Sequence, residues 1–293
     1  ISLIPNYTPS SVGLIVLTMT AGTAFIMWIA ELISQRGVGN GMSLLIFASI
    51  VSQLPPQFGS AYQVTAGQGR VGQFTFLMVM FVLMIIGIIY VEQGQRRIHI
   101  QFAKRVRGRK VMGGQSTYIP LKVNSAGVIP VIFATSILFF PALVATSLPQ
   151  DNNITAAIRN WIDINLANSQ GTTWFYIFFL GMLIIFFTYF YTTIQFDPVR
   201  QSDMIRRQGG FIPGVRPGIS TTNYLSHIVN RITLPGSIFL ASVAVLPSIA
   251  SAIWDIPLGF SGISILITVG VALETMKQIE SQLSMRNYEG FID

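Results

Sequence analysis

Seven apolar stretches, each nearly free of charged residues, divide the chain between shorter polar segments. A helix of about 20 mostly apolar residues crosses roughly 30 Å of hydrocarbon. The second stretch is the shortest and ends at Pro55-Pro56. One such stretch is compatible with a buried helix of a soluble protein, but seven together predict an all-α polytopic membrane protein, a helical bundle. The predicted spans cover approximately 11–33, 41–54, 73–91, 124–146, 173–194, 233–253 and 260–277.

The amino-acid composition supports this prediction and excludes several kinds of catalytic and metal-binding site. Hydrophobic residues make up 51% of the 293 positions and charged residues only 10%, whereas soluble domains carry about 25% charged residues. The absence of cysteine excludes disulfides, thiol catalysis and Cys-ligated metals. The two histidines, His99 and His227, lie outside the spans, and no hydrolase, P-loop or metalloprotease motif occurs. We therefore expect no enzyme activity, no cofactor and no metal site.

The distribution of Lys and Arg predicts the orientation of the spans. Alternate connecting segments together contain 16 basic residues on one side and two, Arg70 and Arg159, on the other. Because basic loops stay in the cytoplasm, we expect residue 1 outside and the C-terminus in the cytoplasm. A chain that starts outside, with neither a Met nor a signal peptide, suggests that upstream spans are missing.

The first basic segment, 92–123, has the pattern of a β-hairpin. Ile98, Ile100 and Phe102 alternate with polar residues, as in a half-buried strand. A basic tip, 104–110, follows, and 111–119 is compatible with a returning strand. The charges can serve orientation alone, or the tip can contact a phosphate backbone or an acidic protein.

The second basic segment, 195–232, begins with a helix signal. Asp197 is a favoured N-cap and Pro198 a favoured first helical residue. Arg206 and Arg207 fall in the expected last turn, and the pair Gly209-Gly210 then ends the helix.

The same segment then presents an arginine on a stiff turn. Residues 212–218 hold two prolines and two glycines around Arg216, and proline restricts the backbone. An ordinary connector with a solvated arginine explains the pattern equally well. Thr221 or Thr222 is a candidate cap for a helix that leads through Leu225 to Ile232.

The outer segment between the fourth and fifth spans has helical periodicity. Apolar residues at this spacing predict a short amphipathic helix on the membrane surface; they are Ile154, Ile158, Trp161, Ile162 and Leu166.

Composition alone leaves two kinds of transport protein open. An ion-coupled secondary transporter usually places ionisable groups or broken helices at the bilayer midplane. Here no charged residue lies at the middle of a span, although Pro130 interrupts the fourth. A channel with an apolar constriction needs no such charge.

Five stretches together resemble the SecY family of protein-conducting channels. They are 36–43 (Arg-Gly-Val-Gly-Asn-Gly-Met-Ser), 103–110, 120–130 (Pro-Leu-Lys-Val-Asn-Ser-Ala-Gly-Val-Ile-Pro), 210–218 (Gly-Phe-Ile-Pro-Gly-Val-Arg-Pro-Gly) and 276–291. The resemblance extends over nearly the whole chain, and its details are bacterial.

The resemblance implies a ten-span fold made of two inverted halves, of which this chain resembles the fourth to tenth spans. Residues 1–54 would end the first half, and 55–72 would form an external hinge loop. Residues 73–293 would form the second half, with cytoplasmic loops 92–123 and 195–232.

The resemblance also implies a function, which is to pass unfolded polypeptides across the bacterial plasma membrane and release apolar segments into lipid. Expected partners are SecE, SecG, SecA, the ribosome with its rRNA and proteins, nascent or secretory polypeptides, and membrane lipids.

Site residues follow from the same resemblance by motif position. Ile46, Ile132 and Ile267 would belong to an aliphatic pore ring. Spans four and five would form one side of a lateral gate, with Asn124 and Ser125 at its start. The ribosome and SecA contact would comprise Lys104, Arg105, Arg109, Lys110 and Arg216.

Overall fold

A computed structural model of the protein describes residues 8–102, 105–107, 110–112, 116–147, 153–166, 173–254 and 261–289. The helices are α1 (Pro9–Arg36), α2 (Gly41–Gly67), α3 (Val71–Gln93), α4 (Ile129–Ser147), α5 (Asn153–Asn165), α6 (Trp174–Gln195), α7 (Pro198–Arg207), α8 (Ile219–Trp254) and α9 (Gly262–Glu289). The strands are β1 (Gln95–Phe102), β2 (Arg105–Arg107), β3 (Lys110–Met112), β4 (Ser116–Lys122) and β5 (Gly210–Phe211).

Most of the predicted spans coincide with long apolar helices. Within the described residues, five helices are long and apolar enough to cross a membrane, and they begin at Pro9, Val71, Trp174, Ile219 and Gly262. α4 has a shorter apolar stretch, and α2 does not belong to the five. The all-α membrane fold is thereby confirmed, with its strands confined to the loops.

The chain divides into two compact bodies. The first contains residues 1–55 and 271–293. In it the turn between α1 and α2 is tight, because Gly41 lies so close to the Ala30 carbonyl that a Cβ would collide with it. Ser34 Oγ accepts a hydrogen bond from the Gly41 amide at 2.8 Å, and Gly39 has a φ of 90°, which favours glycine.

The second body contains residues 56–270 and is built around α8. α8 packs against α3, α4, α6 and α7, and its buried face is rich in small residues such as Ser237, Ala241 and Ala244. Small residues let helix backbones approach closely in membranes. Pro235 and Pro247 lie inside the helix, as membrane helices tolerate.

The predicted end of the second span, at residue 54, is wrong. α2 continues through Pro55-Pro56 to Gly67, so most of the predicted hinge loop 55–72 is helical. Phe58 and Tyr62 make edge-to-face contacts with Phe81 and Phe74 of α3, at 5.1 and 5.4 Å between ring centroids. Each aromatic pair contributes about 0.5–1.5 kcal/mol beyond its buried area, so this packing offsets part of the roughly 3 kcal/mol that each proline costs inside a helix.

Two further helix boundaries differ from the predictions. Pro130 does not interrupt the fourth span, because α4 begins at Ile129 and proline is favoured in a first helical turn. The sixth span and the predicted helix through Leu225 form one helix, α8, which starts at Ile219.

The predicted amphipathic helix is confirmed as α5, Asn153–Asn165; its position on the membrane surface stays a prediction. Trp161 packs against Phe175 at the start of α6, with 5.6 Å between ring centroids.

Candidate functional site

The two basic loops, predicted separately, fold into one unit, which we call the sheet subdomain (residues 94–123 and 196–232). β1 pairs with β4 on one side and with β5 on the other, both antiparallel. α7 and the first turns of α8 cover this sheet. The buried core of the subdomain consists of Ile98, Ile100, Leu121, Ile205, Ile212, Leu225 and Ile228.

The predicted hairpin is confirmed in the backbone. β1 and β4 pair from Gln95↔Lys122 to Gln101↔Ser116, and β2 pairs with β3 from Arg105↔Met112 to Arg107↔Lys110. The alternation of β1 turns Ile98 and Ile100 inward, as the sequence predicts.

Two of the four tip residues proposed for partner contact, Lys104 and Arg109, lie outside the described residues. Arg105 begins β2 and Lys110 begins β3, so the backbone places both on the paired extension of the hairpin.

The predicted helix after Asp197 is confirmed as α7. Asp197 Oδ1 accepts hydrogen bonds from the amides of Val199 and Arg200 at 2.9 and 3.3 Å. The cap fixes the first turn of the helix, and Ile205 near the other end packs in the core of the subdomain.

The sheet subdomain concentrates the positive charge of the chain. It holds 13 of the 18 basic residues and only two of the 11 acidic ones, a net charge of +11. Arg96, Arg206 and Arg216 are exposed, and within the described part of the chain none of these three forms an ion pair. Arg97 lies over the Tyr118 ring at 4.9 Å. Such a surface attracts anionic partners.

The turn that carries Arg216 is fixed by two hydrogen bonds, one from a side chain of α7 and one from a side chain of α8. Its neighbours Gly214 and Gly218 have φ values of 82° and 109°. The Arg216 carbonyl accepts a hydrogen bond from Thr221 Oγ1 at 3.0 Å, and the Gly218 carbonyl accepts one from Ser202 Oγ at 3.1 Å.

Sequence reasoning did not name Ser202, and it assigned Thr221 a different role. We expected Thr221 or Thr222 to cap a helix, but α8 begins earlier and Thr221 binds the turn instead. Ser202 and Thr221 are only 2% and 3% exposed. The signal available was weak: Ser202 lies three residues before the core residue Ile205, on the same helix face.

The two proposed gate residues occupy the turn that precedes α4. Asn124 is buried, and its side chain bonds Glu92 Oε2 and the Gly127 amide, each at 3.0 Å. Ser125 Oγ donates to the Lys122 carbonyl at 2.9 Å. Both residues therefore shape the entry to α4, and their role in a gate stays a prediction.

The three proposed ring residues lie on three different helices. Ile46 (43% exposed) and Ile132 (47% exposed) lack full burial in the chain, and Ile267 is partly buried. Ile46 belongs to the first body and the other two to the second, so the ring stays a prediction. Within the described residues no cluster of His, Asp or Glu could hold a metal ion.

Comparison with known proteins identifies the family. The sequence model of the SecY family matches residues 2–276. The Protein translocase subunit SecY of Streptomyces scabiei is 47% identical over 297 residues, which cover 99% of this chain and 66% of the relative. That of Mycobacterium tuberculosis H37Rv is 44% identical over 300 residues, covering 100% of this chain and 66% of the relative. This chain thus spans about two thirds of their length.

Two solved structures share the fold of this chain. A structure described as that of a protein conducting channel aligns with a TM-score of 0.59 and 18% identity, covering 95% of this chain and 67% of the other. A second, from work on the plug domain of the SecY protein, aligns with a TM-score of 0.60 and 16% identity, covering 94% and 67%. With a family match over nearly its whole length, the chain belongs to the SecY family.

Proposed function

We propose that this chain forms the larger part of a channel subunit through which unfolded polypeptides cross the bacterial plasma membrane and from which apolar segments enter the lipid. The observation that carries the proposal is the family match over residues 2–276, together with relatives that are named as translocase subunits. The proposed arrangement of two halves, 1–54 and 73–293, belongs to the same proposal.

The charge of the sheet subdomain supports a docking role on the cytoplasmic side. A surface with a net charge of +11 attracts the phosphates of rRNA and acidic protein surfaces, and this attraction is strongest at low salt. We assign contact with the ribosome and SecA to this surface, through Lys104, Arg105, Arg109, Lys110 and Arg216. SecE and SecG are the proposed membrane partners.

The apolar character of the helices supports the proposed pore. An aliphatic constriction at Ile46, Ile132 and Ile267 would hold back ions by dewetting and would accept varied side chains, because it forms no specific hydrogen bonds. α4 and α6 would line the lateral gate, with Asn124 and Ser125 at its cytoplasmic end. The family match gives no support to the alternative of an ion-coupled secondary transporter.

Reconstitution tests the proposed function. The complete chain, assembled with its partner subunits in lipid vesicles, should move an unfolded secretory polypeptide into the lumen, where added protease cannot reach it. The variant Arg216→Glu should lose most of this transport, because a reversed charge repels the anionic partner. Arg216→Lys should restore only part of it, because lysine lacks the planar fork of the guanidinium. A wild-type complex that moves ions against a gradient, but no polypeptide, contradicts the proposal.

The hairpin tip has its own test. Reversing Arg109 and Lys110 to Glu should weaken ribosome binding roughly tenfold at low salt and reduce its salt dependence, because phosphate contacts release counterions. Reversing Arg206 and Arg207, at the exposed end of α7, makes the same change of charge away from the tip. Equal binding by both variants and wild type restores the explanation that the charges serve orientation alone.

A further inference from the structure

The entry to α4 is joined to the end of α3 by two hydrogen bonds. The Val123 amide donates to the Gly94 carbonyl at 3.0 Å, directly after α3 ends. One residue further, Asn124 Nδ2 donates to Glu92 Oε2 at 3.0 Å. The side-chain bond therefore continues the β1–β4 ladder onto the last turn of α3.

Asparagine at position 124 uses both ends of its amide. Its Nδ2 donates to Glu92, while its Oδ1 accepts from the Gly127 amide at 3.0 Å. Aspartate keeps the second bond but cannot donate the first, and leucine makes neither. Because Asn124 is only 6% exposed and bonds to carboxylates are among the stronger hydrogen bonds, this pair holds the turn firmly.

α8 confines the same turn from another side. A Cβ on Gly236 would lie 2.7 Å from the Val123 carbonyl oxygen, so that glycine lets α8 touch the backbone before α4. The turn ends at Gly127, whose φ is 64°, and Pro130 and Val131 at the start of α4 are fully buried. The position of the first turn of α4 thus depends on residues 123–127.

We propose that the Glu92–Asn124 pair is a latch that positions the first turn of α4, and with it Ile132, and thereby sets how readily the channel opens. Both are positioning residues, since neither needs to touch the polypeptide. The inference rests on the proposed function, in which α4 borders the lateral gate.

A charge swap tests the latch in the complete chain assembled with its partner subunits. Asn124→Asp removes the donor and sets two carboxylates against each other. Adding Glu92→Gln supplies a new donor, so that the double variant restores the bond with its direction reversed. Ser242→Ala on α8 is the matched control, because it removes one side-chain hydrogen bond, to the Phe239 carbonyl, at a residue outside the proposed gate and ring. If Asn124→Asp fails to accumulate, Glu92→Ala breaks the same bond from the other side.

Three readouts are compared at equal abundance of inserted protein: hydrogen exchange of residues 124–132, ion conductance of the idle complex, and transport of a polypeptide with a weakened targeting segment. Asn124→Asp should raise the rate of hydrogen exchange about tenfold, which corresponds to the free energy of one strong hydrogen bond. It should raise the ion conductance and the transport of the weakly targeted polypeptide several-fold. The double variant should return all three to near the wild-type values, and Ser242→Ala should change none.

The possible results separate the latch from the proposed function. If Asn124→Asp behaves like Ser242→Ala, or if the double variant restores nothing, the latch is refuted. If exchange responds and recovers while conductance and selection stay constant, the bond only supports the fold and the inference about opening is refuted. A wild-type complex that passes no polypeptide refutes the proposed function, and the exchange data still decide whether the latch exists.

Discussion

Replacing Ile132 by asparagine tests whether an aliphatic side chain on α4 closes the pore against ions. In a dewetted constriction an ion loses its hydration without gaining ligands. Asparagine would place a donor and an acceptor at that point and let water remain. We therefore expect the idle complex to conduct ions and to select its substrates less strictly.

The structure indicates how much of the effect could arise from damage to packing. Ile132 is 47% exposed in the chain, so about half of the roughly 1.5–3 kcal/mol for full burial of isoleucine is at stake. The expected loss of stability is about 1 kcal/mol. The neighbouring Val131 is 0% exposed, and asparagine there loses its apolar burial and buries an unpaired amide, a total of about 3–5 kcal/mol.

This contrast supplies the controls. Val131→Asn should lower the abundance of the protein without opening a leak in the molecules that survive. Ile137→Asn alters a residue of similar exposure, 44%, on a different face of the same helix. The assay is planar-bilayer conductance of the purified complex, normalised to inserted protein. If Ile132→Asn carries no more current than Ile137→Asn at equal abundance, Ile132 does not belong to the seal.

Two further predictions concern topology and the Arg216 turn. Cysteines introduced at Ser116 and Asn160, which are both exposed, should react with an impermeant maleimide from the cytoplasm and from outside, respectively; reversed labelling refutes the orientation. Thr221→Val removes the donor that holds the Arg216 carbonyl, a bond of about 1 kcal/mol, and should reduce both transport and ribosome binding by up to roughly fivefold. Equal transport by Thr221→Val and its neighbour Thr222→Val would show that the turn needs no such support.

Features that depend on neighbours in sequence could be predicted before the structure. The alternation of Ile98 and Ile100 indicates a strand, because the strand period is two residues. The Asp197-Pro198 pair indicates a helix start, because the side chain of one and the fixed φ of the other act within a single turn.

Features that depend on distant partners could not be predicted in this way. β5 is only two residues long and exists because β1 offers it an open edge. α2 continues through Pro55-Pro56, and beyond them Phe58 and Tyr62 pack against aromatic partners on α3. The partner of Asn124 lies 32 residues earlier, a spacing that no local motif encodes. Prolines and polar residues indicate local preference, and tertiary packing can override it.

The sheet subdomain is built from two distant segments of the chain, so its folding cannot be completed until the second segment has been synthesised. Gly210, the first residue of β5, follows the end of β4 at Lys122 by 88 positions. At about 5–20 residues per second, the ribosome needs roughly 4–18 s to make that stretch. Throughout this interval the hairpin has an unpaired strand edge, and Ile98 and Ile100 lack the helices that later cover them. Such an edge invites pairing with other chains, so a newly made hairpin is most vulnerable to proteases and to misassembly before α7 emerges.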